Sequence, residues 1–222
     1  MRDLFFVSCT AGRKGETALY RALEKLGICD YFFFENNRRG LPECYNEYLD
    51  KLALTDRILV LVHSDVTIAD IFVREKVNEA ARSFNVVGLV GSSKFNFDLQ
   101  TPHYAWPVWP RECLSGSVEH LVGNGMANWY HFGPTPRRCV VMDGLFLAID
   151  MLTIGNVRFD PRFTFHLYDI DFCLSAHFAN LTLGTTNVYV QHASVGDFST
   201  DAYRQAMREF RAKWSADPRN QS

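Results

Sequence analysis

Two rhythms of apolar and polar positions alternate along the chain. Unbroken apolar runs that end in small or polar groups read as strands buried on both faces. Between them, apolar residues recur every three or four positions, which is the spacing of amphipathic helices. Leu4–Val7 is the first run and closes on Ser8-Cys9-Thr10. Over Glu16–Leu26 the residues Ala18, Leu19, Ala22, Leu23 and Leu26 fall on one helical face, and Gly27 supplies a stop. Tyr31–Phe34 follows as a second strand and ends in Glu35-Asn36-Asn37. This β-α-β opening predicts a parallel pair with a right-handed crossover.

After the turn Arg38–Pro42, Glu43–Leu54 has a helical pattern, with Cys44, Tyr45, Tyr48, Leu49 and Leu52 apolar. The most apolar run, Ile58–Val62, breaks off abruptly at His63-Ser64-Asp65. Thr67-Ile68-Ala69-Asp70 resembles a capping box, which predicts a helix from about Ile68 to Phe84 with Ile71, Phe72, Val77 and Ala80 inward. Val86–Val90 is a further buried strand, closing on Gly91-Ser92-Ser93. From Lys94 to Arg137 periodicity fades among prolines and the aromatics Trp106, Trp109, Trp129 and Tyr130, so this region is expected to be an irregular loop, either a binding lid or a packing segment. Regular elements return with Cys139–Met142, the apolar Leu145–Ile149, a helix over Phe172–Ala179 that begins near Tyr168 or Asp169, and a strand Val188–His192. An amphipathic helix Asp201–Trp214 with Tyr203, Ala206, Met207, Phe210 and Trp214 on one side closes the pattern, followed by a tail from 217.

The 222 residues and their 47% hydrophobic content suit one α/β domain and exclude a disordered chain. A net charge of -2 argues against duplex nucleic acid as the main partner. None of the six cysteines stands at CxxC spacing, so no structural zinc site is indicated, and reduced thiols in the cytoplasm are expected. No segment is apolar enough over a sufficient length to span a bilayer. The Gly12/Gly15 loop matches neither dinucleotide nor P-loop spacing.

In open α/β sheets ligands bind beyond the carboxyl ends of the strands. The polar groups at strand or helix ends are His63 and Asp65, Asp143, Asp169 and Asp171, and His192. Each alone is more commonly a turn, cap or core residue. Together, carboxylates with an imidazole suit Mn²⁺ or Mg²⁺.

The order of these features resembles a glycosyltransferase of the GT-A fold, close to family 2. The nearest likeness is the subgroup with the streptomycin-biosynthesis StrF-type domain, which includes polysaccharide and rhamnosyl-type transferases of bacteria and viruses. The matching pieces are Asn36-Asn37 with Gly40-Leu41 and Tyr45-Asn46, then Val62-His63-Ser64-Asp65-Val66, Asp143–Ala148, Phe159-Asp160, Phe165–Leu174 and His192–Gly196. The implied architecture is a Rossmann-like three-layer α/β/α fold with a central, mostly parallel mixed sheet.

The resemblance also implies roles. Asp65 stands at the end of the family's DxD motif and would bind the metal on the donor diphosphate, with His192 completing the metal shell. His63 replaces the motif's first Asp and would face the metal or the sugar. Ser8, Thr10, Glu35 and Asn37 would hold the nucleoside. Asp169 matches the catalytic base, while Tyr168 replaces the glutamate that precedes it. Asp143, Gly144, Tyr168, Asp171 and, from the aromatic loop, Trp109 would line the acceptor side. The implied activity is inverting transfer of a sugar from a nucleotide-diphospho-sugar to a hydroxyl of a glycan or other acceptor. The alternatives are a metal-dependent phosphohydrolase or nucleotidyltransferase, and a catalytically silent nucleotide-sugar-binding domain.

Overall fold

A computed structural model describes residues 1–95, 111–122, 126–194 and 199–217. The chain begins with strand β1 (Asp3–Cys9), helix α1 (Ala18–Lys25) and strand β2 (Tyr31–Phe34). Strands β1 and β2 pair in parallel, as the β-α-β pattern requires. Thr17 caps α1 by accepting a hydrogen bond from Tyr20 N at 3.1 Å. Helix α2 (Leu41–Lys51) precedes β3 (Arg57–Val62), a strand buried from Ile58 to its end. Strand β4 (Val66–Ile68), helix α3 (Val73–Ala80), β5 (Val86–Gly88) and β6 (Val90–Ser92) come next. A long hairpin of β7 (Leu114–Val122) and β8 (Met126–Gly133) leads to β9 (Arg138–Cys139), β10 (Val141–Met142) and β11 (Phe146–Asp150). Helix α4 (Tyr168–Phe178), strands β12 (Leu183–Thr185) and β13 (Val190–His192), and helix α5 (Asp201–Ser215) complete the order.

Seven strands form the main sheet in the order β2-β1-β3-β11-β5-β12-β9. Only β11 and β9 run against the others, so the sheet is mixed and mostly parallel. Strand alternation divides its side chains between two cores. Leu59, Leu61, Leu147 and Ile149 face α2, α4 and α5. Ile58, Val60, Val62, Phe146 and Ala148 face α1 and α3. The result is the expected three-layer α/β/α arrangement, in which β3 is apolar from Ile58 to Val62 because both of its faces are covered. A smaller sheet, β10-β6-β7-β13-β4 with β8 paired to β7, stands at the carboxyl end of β3.

Several expectations are corrected. The stretch Thr67–Asp70 does not start a helix. Val66 and Ile68 pair with His192 and Val190, because adding a strand to β13 satisfies their backbone and buries both side chains. Asp70 instead accepts hydrogen bonds from Phe72 N (3.0 Å) and Tyr189 N (3.1 Å). Ile71 and Phe72, expected inside, are 74% and 56% exposed. The runs Val86–Val90 and Cys139–Met142 each break in two, at Leu89 and Val140, and each passes from the main sheet to the smaller one. The irregular region expected over 94–137 contains the β7–β8 hairpin. A bulge lies between Gly116 and Ser117, and Gly116 has φ +99 and no room for a Cβ, which would lie 1.8 Å from the Leu89 carbonyl oxygen. Among the described residues no helix is long and apolar enough to cross a membrane.

Candidate metal centre and its flanking carboxylate

The site is assembled where the main sheet hands the chain to the smaller one. Val62 ends β3, and His63-Ser64-Asp65 turns the chain into β4. Strand β13 pairs antiparallel to β4 and brings His192 opposite Val66. One ligand atom from each of His63, Asp65 and His192 lies within 4.8 Å of the others. The register of two short strands thus joins residues far apart in sequence.

Hydrogen bonding assigns the tautomer of His63. The Tyr168 hydroxyl donates its single hydrogen to Gly144 O at 3.0 Å. The same oxygen lies 2.8 Å from His63 Nε2, so it accepts the proton of that nitrogen. Nδ1 of His63 is left with a free lone pair. Burial and the neighbouring His192 lower the pKa of His63, which keeps the ring neutral, as a metal ligand must be. His192 is buried, and its Nδ1 has no hydrogen-bond partner. Its Nε2 lies 3.0 Å from Ser194 Oγ and 3.4 Å from Asp65 Oδ1. Burial opposes the charge on His192, yet the Asp65 carboxylate outweighs it and raises the pKa. Burial likewise acts against ionised Asp65, but His192 and His63 hold its pKa down to about 2. The three residues fit a divalent cation: a carboxylate that stays ionised, a neutral imidazole with a free lone pair, and a second imidazole whose proton, favoured by Asp65, a cation would displace. Two nitrogens and one oxygen suit Mn²⁺ better than Mg²⁺, which prefers oxygen alone.

Asp169 stands beside this group at the start of α4. Its Oδ2 accepts from Gly144 N at 2.8 Å and its Oδ1 from Ile170 N at 2.9 Å. Burial, reinforced by the charge of Asp143, pushes its pKa up to about 7. The Asp143 carboxylate, tied to Leu145 N at 2.9 Å, also acts electrostatically on His63 and His192. Asp143 therefore couples the two histidines of the candidate metal centre to Asp169. Gly144 is the seat on which the arrangement rests, since a Cβ there would lie 2.3 Å from Tyr168 Oη and 2.8 Å from Asp169 Cβ. Both Gly144 and Tyr168 are occupied in positioning His63 and Asp169.

The residues assigned to the nucleoside gather at the ends of β1 and β2. Ser8 is fully buried, and its hydroxyl has no hydrogen-bond partner. Thr10 Oγ1 accepts from Gly12 N at 3.3 Å, and Glu35 Oε1 from Lys14 N at 2.7 Å. Asn37 spends its side chain on Arg39, donating to its carbonyl at 2.8 Å and accepting from its N–H at 3.2 Å. Asp171, expected to line the acceptor side, is 0% exposed and is taken up by contacts with α5, which leaves it no surface for a ligand. Its carboxylate accepts from Trp214 Nε1 at 2.9 Å and pairs with Lys213 Nζ at 2.7 Å. Trp106 and Trp109 lie outside the described residues, as do Val195 and Gly196 and nearly all of the tail. The sequence reading missed His120 of β7, whose ring centroid is 5.3 Å from that of His192. No spacing signal marks it, because strand pairing alone brings it there.

The fold and site define a class, a three-layer α/β domain with a candidate metal centre at the strand ends. No protein-family model matches the sequence, and no curated protein matches it. Among solved structures the chain is similar to A197 from STIV, with 15% identity, 85% of this chain and 83% of that one covered, and a TM-score of 0.52. That likeness is one of fold. CMP:2-keto-3-deoxy-manno-octonic acid synthetase complexed with CTP aligns at 10% identity over 96% of this chain and 98% of its own, with a TM-score of 0.39. The inositol-1-phosphate CTP transferase from T. maritima aligns at 14% identity over 93% and 78%, with a TM-score of 0.36. Superpositions that loose carry no inference about this chain.

Proposed function

We propose that this protein is an inverting, metal-dependent glycosyltransferase that takes a nucleotide-diphospho-sugar donor. One observation carries the reading: His63, Asp65 and His192 converge on one point, and Asp169, with a pKa near 7, is tied to that point through Tyr168 and Gly144. In this reading Ser8, Thr10 and Glu35 receive the nucleoside at the ends of β1 and β2. Asp65, His192 and His63 Nδ1 hold a divalent cation. When bound, that cation neutralises charge growing on the leaving diphosphate. Asp169 takes the proton of the acceptor hydroxyl as it attacks the anomeric carbon, which inverts if base and leaving group lie on opposite faces of the sugar. A carboxyl poised near neutral pH is matched to this task. Asp143 keeps that proton affinity high.

The test is calorimetric titration of UDP, GDP and dTDP with and without Mn²⁺, followed by turnover of the matching nucleotide sugars. Metal and diphosphate are expected to strengthen each other's binding. Equal nucleotide affinity with and without metal would remove the metal bridge. Release of free nucleotide at a rate independent of any acceptor would replace glycosyl transfer with phosphohydrolysis.

A further inference from the structure

The smaller sheet carries a row of rings that leads outward from the metal ligands. His120 is the register partner of His192 across β7 and β13. Tyr130 of β8 packs edge-on against His120, with centroids 5.3 Å apart and planes at 77°. Behind Tyr130 lies Phe132, nearly parallel at 18° and packed on the core. The Tyr130 ring is thus held from behind while 43% of the residue remains exposed. Asn128, opposite His120 on β8, is exposed as well.

The imidazole of His120 is oriented. Its Nδ1 lies 2.7 Å from the Ser194 carbonyl oxygen, which can only accept, so Nδ1 carries the proton. Its Nε2 has no hydrogen-bond partner among the described residues. An aromatic face, an open ring nitrogen and a primary amide therefore share one side of the hairpin. The other side is already satisfied. There Trp129 packs on Tyr189, and Glu119 accepts from Tyr189 Oη and Gln191 Nε2, both at 2.6 Å.

We propose that Tyr130, His120 and Asn128 form a subsite for a sugar ring, adjoining the metal ligands. A pyranose presents a face of C–H groups and a rim of hydroxyls, which matches a supported aromatic face flanked by polar atoms. The place also fits: the nucleoside residues lie on β1 and β2, and the hairpin lies beyond the metal ligands from them. The proposal rests on the glycosyltransferase reading for its role, and the ring held there belongs to the donor or to the acceptor.

The experiment compares wild type, Tyr130→Ala, Tyr130→Phe and, as a control on the closed side, Trp129→Ala. Each is titrated in Mn²⁺ with UDP, GDP and dTDP, with UDP-glucose, GDP-mannose and dTDP-rhamnose, and with methyl glycosides followed by saturation-transfer NMR. Melting verifies that each variant folds. If the donor sugar occupies the shelf, Tyr130→Ala weakens the nucleotide sugar about tenfold, leaves the diphosphate unchanged, and Tyr130→Phe restores binding. If the acceptor occupies it, nucleotide sugar and diphosphate are both unaffected, and glycoside binding falls about tenfold. Glycoside binding that depends on Tyr130 in a protein that binds no nucleotide would keep the subsite and refute the glycosyltransferase reading. Sugar binding unchanged in Tyr130→Ala, or no sugar bound by wild type, overturns the subsite.

Discussion

Asp169→Asn separates a catalytic carboxylate from a structural one. Asn resembles the protonated acid in shape and charge but offers one acceptor where the carboxyl offers two, so it is the pH dependence of its melting that shows what the carboxyl costs when ionised. The rise from 3.8 to about 7 corresponds to roughly 4 kcal/mol favouring the neutral form. Solvent reaching the half-buried carboxyl reduces this, so about 1–3 kcal/mol is expected. The sign follows from linkage. A carboxyl whose folded pKa lies above its unfolded value contributes stability below about pH 4, and that contribution is lost as pH rises through about 7. Near pH 4 Asp169→Asn should therefore melt below wild type by the one acceptor it lacks. Between pH 4 and pH 8 the variant should gain on wild type, by about 2–4 °C for each kcal/mol in a chain of this length. Melting is measured in EDTA, so that no cation compensates the charge. Turnover should move the opposite way, falling about 10²–10⁴-fold at saturating donor. In wild type it should climb with pH toward a plateau above about 7. Asp65→Asn provides the contrast, since it should weaken Mn²⁺ and diphosphate binding, which Asp169→Asn leaves nearly intact. A melting difference independent of pH would show that Asp169 titrates normally. Near-normal turnover of the Asn variant would remove it as the base and pass the role to Asp143.

Two further outcomes test the supports of the site. Gly144→Ala places a methyl group against Tyr168 Oη, which should cost about 1–3 kcal/mol and, by displacing the partner of His63, weaken Mn²⁺ binding about 10–100-fold in calorimetry. Undiminished metal affinity would mean that Tyr168 does not orient His63. Asp171→Asn discharges one of two partners of Lys213, which keeps Asp160 at 2.9 Å, and should lower stability in urea by about 1 kcal/mol, while the folded variant keeps its affinity for diphosphate and its turnover. Full stability with lost turnover would return Asp171 to the acceptor side.

Where burial on both faces or on one helical face writes the pattern, the fold was legible. Ile58–Val62 and the spacing of Tyr203, Ala206, Met207, Phe210 and Trp214 announced a central strand and a docked helix, and both are found. What failed has a common cause. Val66–Ile68 and the exposed β8 are strands because of their cross-strand partners, and three residues or a solvated ribbon carry no period that a local reading can detect. Leu89 and Val140 lie inside apolar runs, so the passage from one sheet to the other leaves no mark in hydropathy. At the site, the polar endings of strands pointed to His63, Asp65 and His192, because water-loving groups at the end of a buried run need a reason. Asp171 misled for the same reason: next to Asp169 in type and position, it lies on the other side of the helix. His120 was invisible, since only register places it beside His192.

The three candidate ligands come from two sheets. His63 directly follows a strand of the main one, His192 belongs to the smaller one, and Asp65 lies on the turn between them. A cation there would act as a rivet through two plates, closing a ring of about 130 residues between the outer ligands, a length at which cross-links remove much chain entropy. Loading the site would then stiffen the joint between the plates as well as charge it, so that substrate capture and mechanical integrity would share one fastening.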